Sequence, residues 1–333
     1  MSKKLPLTPT LRAAFVALSI GFVGCHNAGN LIKTSYMTTT SAGSNNNLPR
    51  VVATTSVLCD LVKQVAEETI NLICLTSPDT NPYLYQPKPE DRKAIEQAKV
   101  IFFNGYNLEP GVLKLLRSSK NHVPNIAVGH RAVSQPLQSR EGNSTVPNPY
   151  VWHNAKYGIK MVEVISSNLS KVLPKNASLY KSNAQKIKSE LIQLDDWIKS
   201  RIASIPDNQR KLVTVDDGMS YYIQAYGLSS AGTLEDIGTG EKATPTRAKS
   251  LVQSITKAKV PTIFADTTNK SNLIQNIAKE AKVKVSKREL FSDNLGVLGS
   301  EGDTYQKMMV ANTRTIVEGL GGTYLIFEPK VAR

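Results

Sequence analysis

Four oxygen-bearing side chains are placed where this chain could bind a ligand: Tyr83, Tyr150, Asp216 and Asp293. Tyr83 stands in NPYLYQP (81–87) and Tyr150 in NPYVWHN (148–154), two turns written in nearly the same residues. In each, an Asn-Pro step fixes the backbone, a tyrosine follows, and a second aromatic comes two residues later. Asp216 directly follows the apolar run KLVTV, and Asp293 follows VKVSKRELF. Each has an ordinary explanation on its own, since loop tyrosines pack and aspartates after strands cap helices. Together they are oxygen donors at the ends of predicted strands, two from each half of the chain. Parallel α/β sheets bind ligands at that position.

The elements that must carry these residues alternate between strand and helix from Arg50 onward. RVVATT, INLICLT, VIFFN and NIAV have strand length and apolar content. SVLCDLVKQVAEE, which Ser56 would open, PEDRKAIEQA and LEPGVLKLLRSS have helical spacing. The alternation restarts at KLVTV and continues through VPTIFAD and VKVSKRELF. Between the two runs, Tyr180, Ala184, Ile187, Leu191, Leu194 and Ile198 recur at steps of four and three, with Asn176 as a cap and Pro206 as a stop. A single helix there would be on the order of 43 Å long. The predicted fold is therefore α/β with two lobes, each a parallel sheet covered by helices, joined by one long rigid helix with a ligand cleft between them. A helical hairpin broken inside one domain is the alternative. The corresponding organisation is a signal segment at 1–24, a flexible tether at 25–49, a first lobe at 50–175, a linking helix at 176–205 and a second lobe at 206–333.

Lys3, Lys4 and Arg12 precede a short apolar run and then Cys25, the order of an export signal too short to remain as a membrane span. The chain has 333 residues and a net charge of +14, with three of its cations in that signal. Its cations are scattered over helix-like segments without interleaved aromatics, so nucleic acid is a poor partner and a solvated lysine-rich face is expected. Cys59 and Cys74 form no Cys-x-x-Cys, and their spacing leaves pairing open. No glycine-rich phosphate loop is present, and four histidines in these positions assemble neither a Ser-His-Asp nor a Cys-His arrangement. A metal-dependent hydrolase would need a separate general base that the sequence does not offer, so no enzymatic activity is expected.

Several longer stretches resemble the metal-binding lipoprotein component of ABC importers for zinc and manganese, the cluster A-I solute-binding proteins. NPYLYQPKPED is similar to that family's Asp-Pro-His-x-Tyr-x-Pro-x-Pro-x-Asp loop, and NPYVW to its Asp-Pro-His-Val-Trp. VTVDDGMSYYIQAYGL resembles the segment bearing its third ligand, and FSDNLGVLGSEGDTYQKMMVANTRTIVEGL its last ligand segment and C-terminal helix. FVGC resembles a lipobox, which implies lipidation of Cys25. The resemblance implies an exported lipoprotein, periplasmic or at the cell surface, that captures a transition-metal cation between two lobes and delivers it to a membrane permease as a monomer.

Carried over position by position, the metal site would be Tyr83, Tyr150, Asp216 and Asp293, with phenols where the family has histidines. Imidazole suits zinc, whereas oxygen donors favour harder ions, so manganese or ferric iron is expected ahead of zinc. His153 is a candidate for the lost imidazole and Glu241 a candidate at the cleft rim. Asp217 is expected to cap the following helix, and Met308 and Met309 to be core. The competing reading is a relative whose metal site has degenerated and which serves as a surface interaction or adhesion lipoprotein.

Overall fold

A computed structural model describes residues 47–78, 80–236, 244–268 and 272–330. The signal segment, Cys25 and Glu241 lie outside the described residues. The first sheet is built from β1 (Arg50–Ala53), β2 (Asn71–Cys74), β3 (Val100–Phe103) and β4 (Asn125–Ala127). All its pairs are parallel, in the order β2-β1-β3-β4. The crossovers are α1 (Ser56–Ala66), α2 (Pro89–Glu96) and α3 (Pro110–Ser118). Prolines open α2 and α3, where their missing N–H is not needed. Thr55, not Ser56, caps α1: its hydroxyl accepts the Leu58 N–H at 3.3 Å, which leaves Ser56 as the first helical residue. Cys59 on α1 and Cys74 on β2 form a disulfide, which settles the pairing that spacing left open.

After β4 come α4 (Val128–Ala132) and an antiparallel hairpin, β5 (Gln138–Glu141) and β6 (Ser144–Pro147). The hairpin leads into the second Asn-Pro-Tyr turn and then α5 (Ala155–Val172). Neither the hairpin nor α5 was anticipated from sequence. The long helix α6 (Ala177–Ala203) has 27 residues, about 40 Å at 1.5 Å each. All six residues of its predicted face are buried, and the helix packs on α5, on α1, and on elements of the second lobe. Asn176 makes no side-chain cap; the helix runs on from a 3-10 turn at Pro174–Asn176 instead.

The second lobe contains β7 (Lys211–Thr214), α7 (Ser220–Tyr226), β8 (Ser229–Thr233), α8 (Pro245–Ala258), β9 (Thr262–Ile263), α9 (Leu273–Ala281), β10 (Lys284–Val285) and α10 (Tyr305–Gly319). β7 pairs with β8 and β9 with β10, both in parallel. Phe264 N–H donates to Val213 O at 3.1 Å and joins the two ladders. The strand predicted across VKVSKRELF is only Lys284–Val285. Charged and polar residues interrupt it before an isolated bridge between Leu290 and Asp266. Met308 and Met309 are fully buried in α10, as expected.

α10 approaches α5 closely at Gly158. A Cβ there would meet the Tyr305 ring and hydroxyl, and that hydroxyl donates to Trp152 O at 2.6 Å. One glycine thus lets the second lobe grip the segment that follows Tyr150.

Candidate metal centre

The repeated turn has one geometric purpose. Asn81 Oδ1 accepts the Tyr83 N–H at 2.9 Å, and Asn148 Oδ1 accepts the Tyr150 N–H at 3.0 Å. Both are Asx turns that lift a tyrosine out of the chain two residues after the asparagine. The rings end up as neighbours, with centroids 6.4 Å apart. Tyr150 is buried and held edge-on to Trp152 at 5.2 Å, while Tyr83 is only partly covered.

The second lobe meets them with carboxylates. Asp293 is 3% exposed, and its Oδ1 accepts the Tyr150 hydroxyl at 2.6 Å. Its Oδ2 accepts from Asn81 Nδ2 at 3.1 Å and from Thr268 Oγ1 at 2.7 Å. The two asparagines of the repeated turn therefore differ in use: Asn81 reaches across to Asp293, whereas Asn148 donates to Ser139 Oγ at 2.8 Å and Asp217 O at 2.9 Å. Asp216 is half-buried, and its Oδ1 accepts the Gly218 N–H at 2.8 Å. Asp216, not Asp217, is thus the cap of the following turn, its extended backbone letting the carboxylate reach forward to the Gly218 N–H. Among the described residues its other oxygen has no hydrogen bond, and its charge acts on both phenols.

Charge distribution in the site is set by burial. The Asp216 carboxyl is pushed well above the usual carboxylate range by burial and then by Asp293 and Asp266. Burial also raises Asp293, with hydrogen bonds from Tyr150 and Thr268 opposing the rise. Burial followed by the charge of Asp216 raises the Tyr83 phenol, and burial followed by Asp293 raises Tyr150. The cation-free site therefore holds protons on groups that a metal ion would need bare.

Asp266 joins this cluster and was not singled out in the sequence. It ends VPTIFAD, and its Oδ1 lies 2.7 Å from Thr268 Oγ1, the same hydroxyl that is 2.7 Å from Asp293 Oδ2. One hydroxyl carries one hydrogen, so only one of the two acids receives it. The other contact closes if that acid is itself protonated. Burial, then Asp293, raises Asp266 to about 7. The only sequence signal was an acid at a third strand end of the second lobe.

His153 is fully buried, with Nε2 at 2.7 Å from Ser292 O, so Nε2 carries the proton. Its Nδ1 is buried without a partner among the described residues. Burial lowers its pKa to about 4, which keeps the ring neutral. It packs between Trp152 and the Asp293 segment, a packed role beside the four donors. Beneath the first lobe's strand ends, buried Glu109 accepts from Thr54 Oγ1 at 2.5 Å and Asn104 N–H at 2.9 Å, and Asn104 Nδ2 holds Pro149 O at 2.9 Å. Glu109 thereby ties two strand ends to the second tyrosine turn.

Among the described residues, no group of three or more His, Cys, Asp or Glu is placed to hold a metal ion. A cation bound here would depend on the phenols as well as the acids.

Comparison with known proteins places this arrangement in context. The chain is 31% identical over 317 residues to the metal ABC transporter substrate-binding lipoprotein FimA of Streptococcus parasanguinis, covering 92% of this chain and 97% of that one. It matches the manganese ABC transporter substrate-binding lipoprotein PsaA of Streptococcus pneumoniae to the same extent, 31% identity over 317 residues, with 92% and 97% covered. Among solved structures it resembles the periplasmic zinc-binding protein TroA from Treponema pallidum, with a TM-score of 0.76 and 28% identity over 82% of this chain and 99% of that one. Residues 51–319 match the family described as zinc-uptake complex component A, periplasmic, and the chain belongs to that family.

Proposed function

We infer that this protein is the extracytoplasmic solute-binding component of a metal-ion ABC importer, taking a transition-metal cation between its lobes and passing it to a membrane permease. Family membership supports the transport role, and the FimA and PsaA relatives are both described as lipoproteins. Anchoring through a lipidated Cys25 fits those relatives. The Cys59–Cys74 disulfide fits an oxidising compartment outside the cytoplasm. The observation that carries the proposal is the convergence at the lobe boundary of Tyr83 and Tyr150 with Asp216 and Asp293, joined by the Tyr150–Asp293 hydrogen bond. On this reading the work is capture and delivery without covalent chemistry, and the protein acts as a monomer.

The donor set favours manganese or ferric iron over zinc. Removing the proton of a phenol with a reference pKa of about 10 costs about 4 kcal/mol at pH 7. Burial makes the cost larger here. A divalent ion would leave the phenols protonated and use them as neutral oxygens. Ferric iron is hard and highly charged enough to displace the protons, and two phenolates with two carboxylates then match its charge closely. Zinc, which prefers imidazole, ranks third.

Adding ferric citrate to metal-free protein tests the phenolate arrangement. The wild type should develop a visible charge-transfer band that fades in both Tyr83→Phe and Tyr150→Phe. A colourless protein that retains manganese in all three would overturn ferric coordination and leave the divalent site. The surface-interaction reading is not favoured, because clustered buried acids cost stability unless a cation uses them.

A further inference from the structure

A cavity lies away from the tyrosines and acids, between the end of α4 with the segment that follows it and one outward face of α5. Its volume is about 760 Å³. Tyr157, Lys160, Val164, Ser167 and Lys171 line one side, at steps of three and four that put them on a single stripe of the helix. Arg131, Val133, Ser134 and Gln135 line the other. Arg131, Lys160 and Lys171 are exposed, and none pairs with a carboxylate among the described residues. Lys160 Nζ sits 5.3 Å from the centre of the Tyr157 ring, which steadies the cation without neutralising it. The one acid in the lining, Glu163, is already held by Lys188.

We propose that this groove binds an extended acidic segment of a partner polypeptide. The spacing of the cations argues against a small anion. Lys160 and Lys171 are eleven residues apart on one helix, about 16 Å along its axis, too far for one phosphate or carboxylate to touch both. An extended peptide covers that distance in about five residues, with side chains of one face recurring at every second position. The remaining lining suits a polypeptide more than a polyphosphate. Val164, half-buried above the buried Val133, gives an apolar strip between the cations, and the side chains of Ser134, Gln135 and Ser167 make no hydrogen bond among the described residues and so can serve a peptide backbone.

The test uses the full mature protein and a fluorescein-labelled peptide of alternating Glu and Val, six residues long, followed by anisotropy. The Glu peptide should bind and its Gln counterpart should not. Lys160→Glu with Lys171→Glu should weaken binding by about tenfold or more, and the milder Lys160→Gln with Lys171→Gln by about threefold. Lys257→Glu with Lys279→Glu, the same charge change on exposed positions of the second lobe, should stay within about twofold of the wild type. Absence of binding, equal binding of the Gln peptide, or equal losses in both reversal pairs would overturn the proposal. So would phosphatidylglycerol vesicles that bind in a Lys160- and Lys171-dependent way while the peptide does not. Melting curves of each variant separate a lost site from a lost fold.

Discussion

Replacing Tyr150 with phenylalanine separates the two ways this site could hold a cation. The substitution keeps the ring against Trp152 and removes only the oxygen that donates to Asp293 at 2.6 Å. In the cation-free protein, a buried hydrogen bond to a carboxyl group is lost, worth roughly 1.5–3 kcal/mol. For ferric iron, the variant also loses a ligand whose bond must exceed the deprotonation cost of at least about 4 kcal/mol, so the affinity should fall by about 100-fold or more. A divalent ion displaces the proton far less readily than ferric iron, and for it the neutral hydroxyl is both a weak donor and a competitor for Asp293. These effects oppose one another, and Mn²⁺ affinity should change by less than about tenfold. Competition titrations against a chelator at pH 7 measure both ions on both proteins. Equal losses for Fe³⁺ and Mn²⁺, or Fe³⁺ affinity retained within about threefold, would refute the assignment of Tyr150 as a phenolate ligand.

Three further outcomes follow from the same structure. Burial raises Asp266 to about 7 and Glu109 to about 6, so between about 4 and those values the folded protein holds protons that the unfolded chain releases. These two groups therefore stabilise the cation-free protein at low pH, and their contribution fades as pH rises from about 4 to 7; Asp266→Asn should flatten that slope in urea titrations at a series of pH values. Cation binding runs the opposite way and should weaken as pH falls through 7, because protons compete for the same oxygens. Cys59→Ala with Cys74→Ala, which opens a 15-residue loop, should cost about 3 kcal/mol of unfolding free energy in denaturant titrations without changing the ion preferred at saturation.

Much of the fold was legible because periodic burial dominates it. The long helix, the first-lobe strands and the crossovers α1 to α3 all announced themselves as apolar runs of the right period. The β5–β6 hairpin did not, because QSRE and STVP are largely polar and exposed and pair by backbone alone. Helix α5 was less legible because Gly158 and Ser166 stand in its buried stripe and weaken the apolar period. The C-terminal stretch likewise carries no period. It is held by single contacts to α6, such as Trp197 Nε1 to Leu325 O at 3.2 Å and the Trp197–Tyr324 ring pair.

At the site, the repeated turn was readable because Asn-Pro-Tyr dictates its own local geometry. Asp266 was not, because its relation to Asp293 runs through Thr268 across 25 residues of sequence. The use of the Asn81 amide as a bridge between lobes was equally hidden. Sequence shows an asparagine in each turn, and only the packed structure sends one amide to Asp293 and the other to Asp217.

The account's central claim is that the two tyrosines and two aspartates form one cation site. Equilibrium dialysis of the mature metal-free protein against manganese, iron and zinc, followed by elemental analysis, tests it most directly when run beside a folded Tyr150→Phe, Asp216→Asn, Asp293→Asn triple variant. The account predicts about one ion per wild-type chain, manganese or iron ahead of zinc, and almost none in the variant. Equal metal content in the two proteins would contradict it.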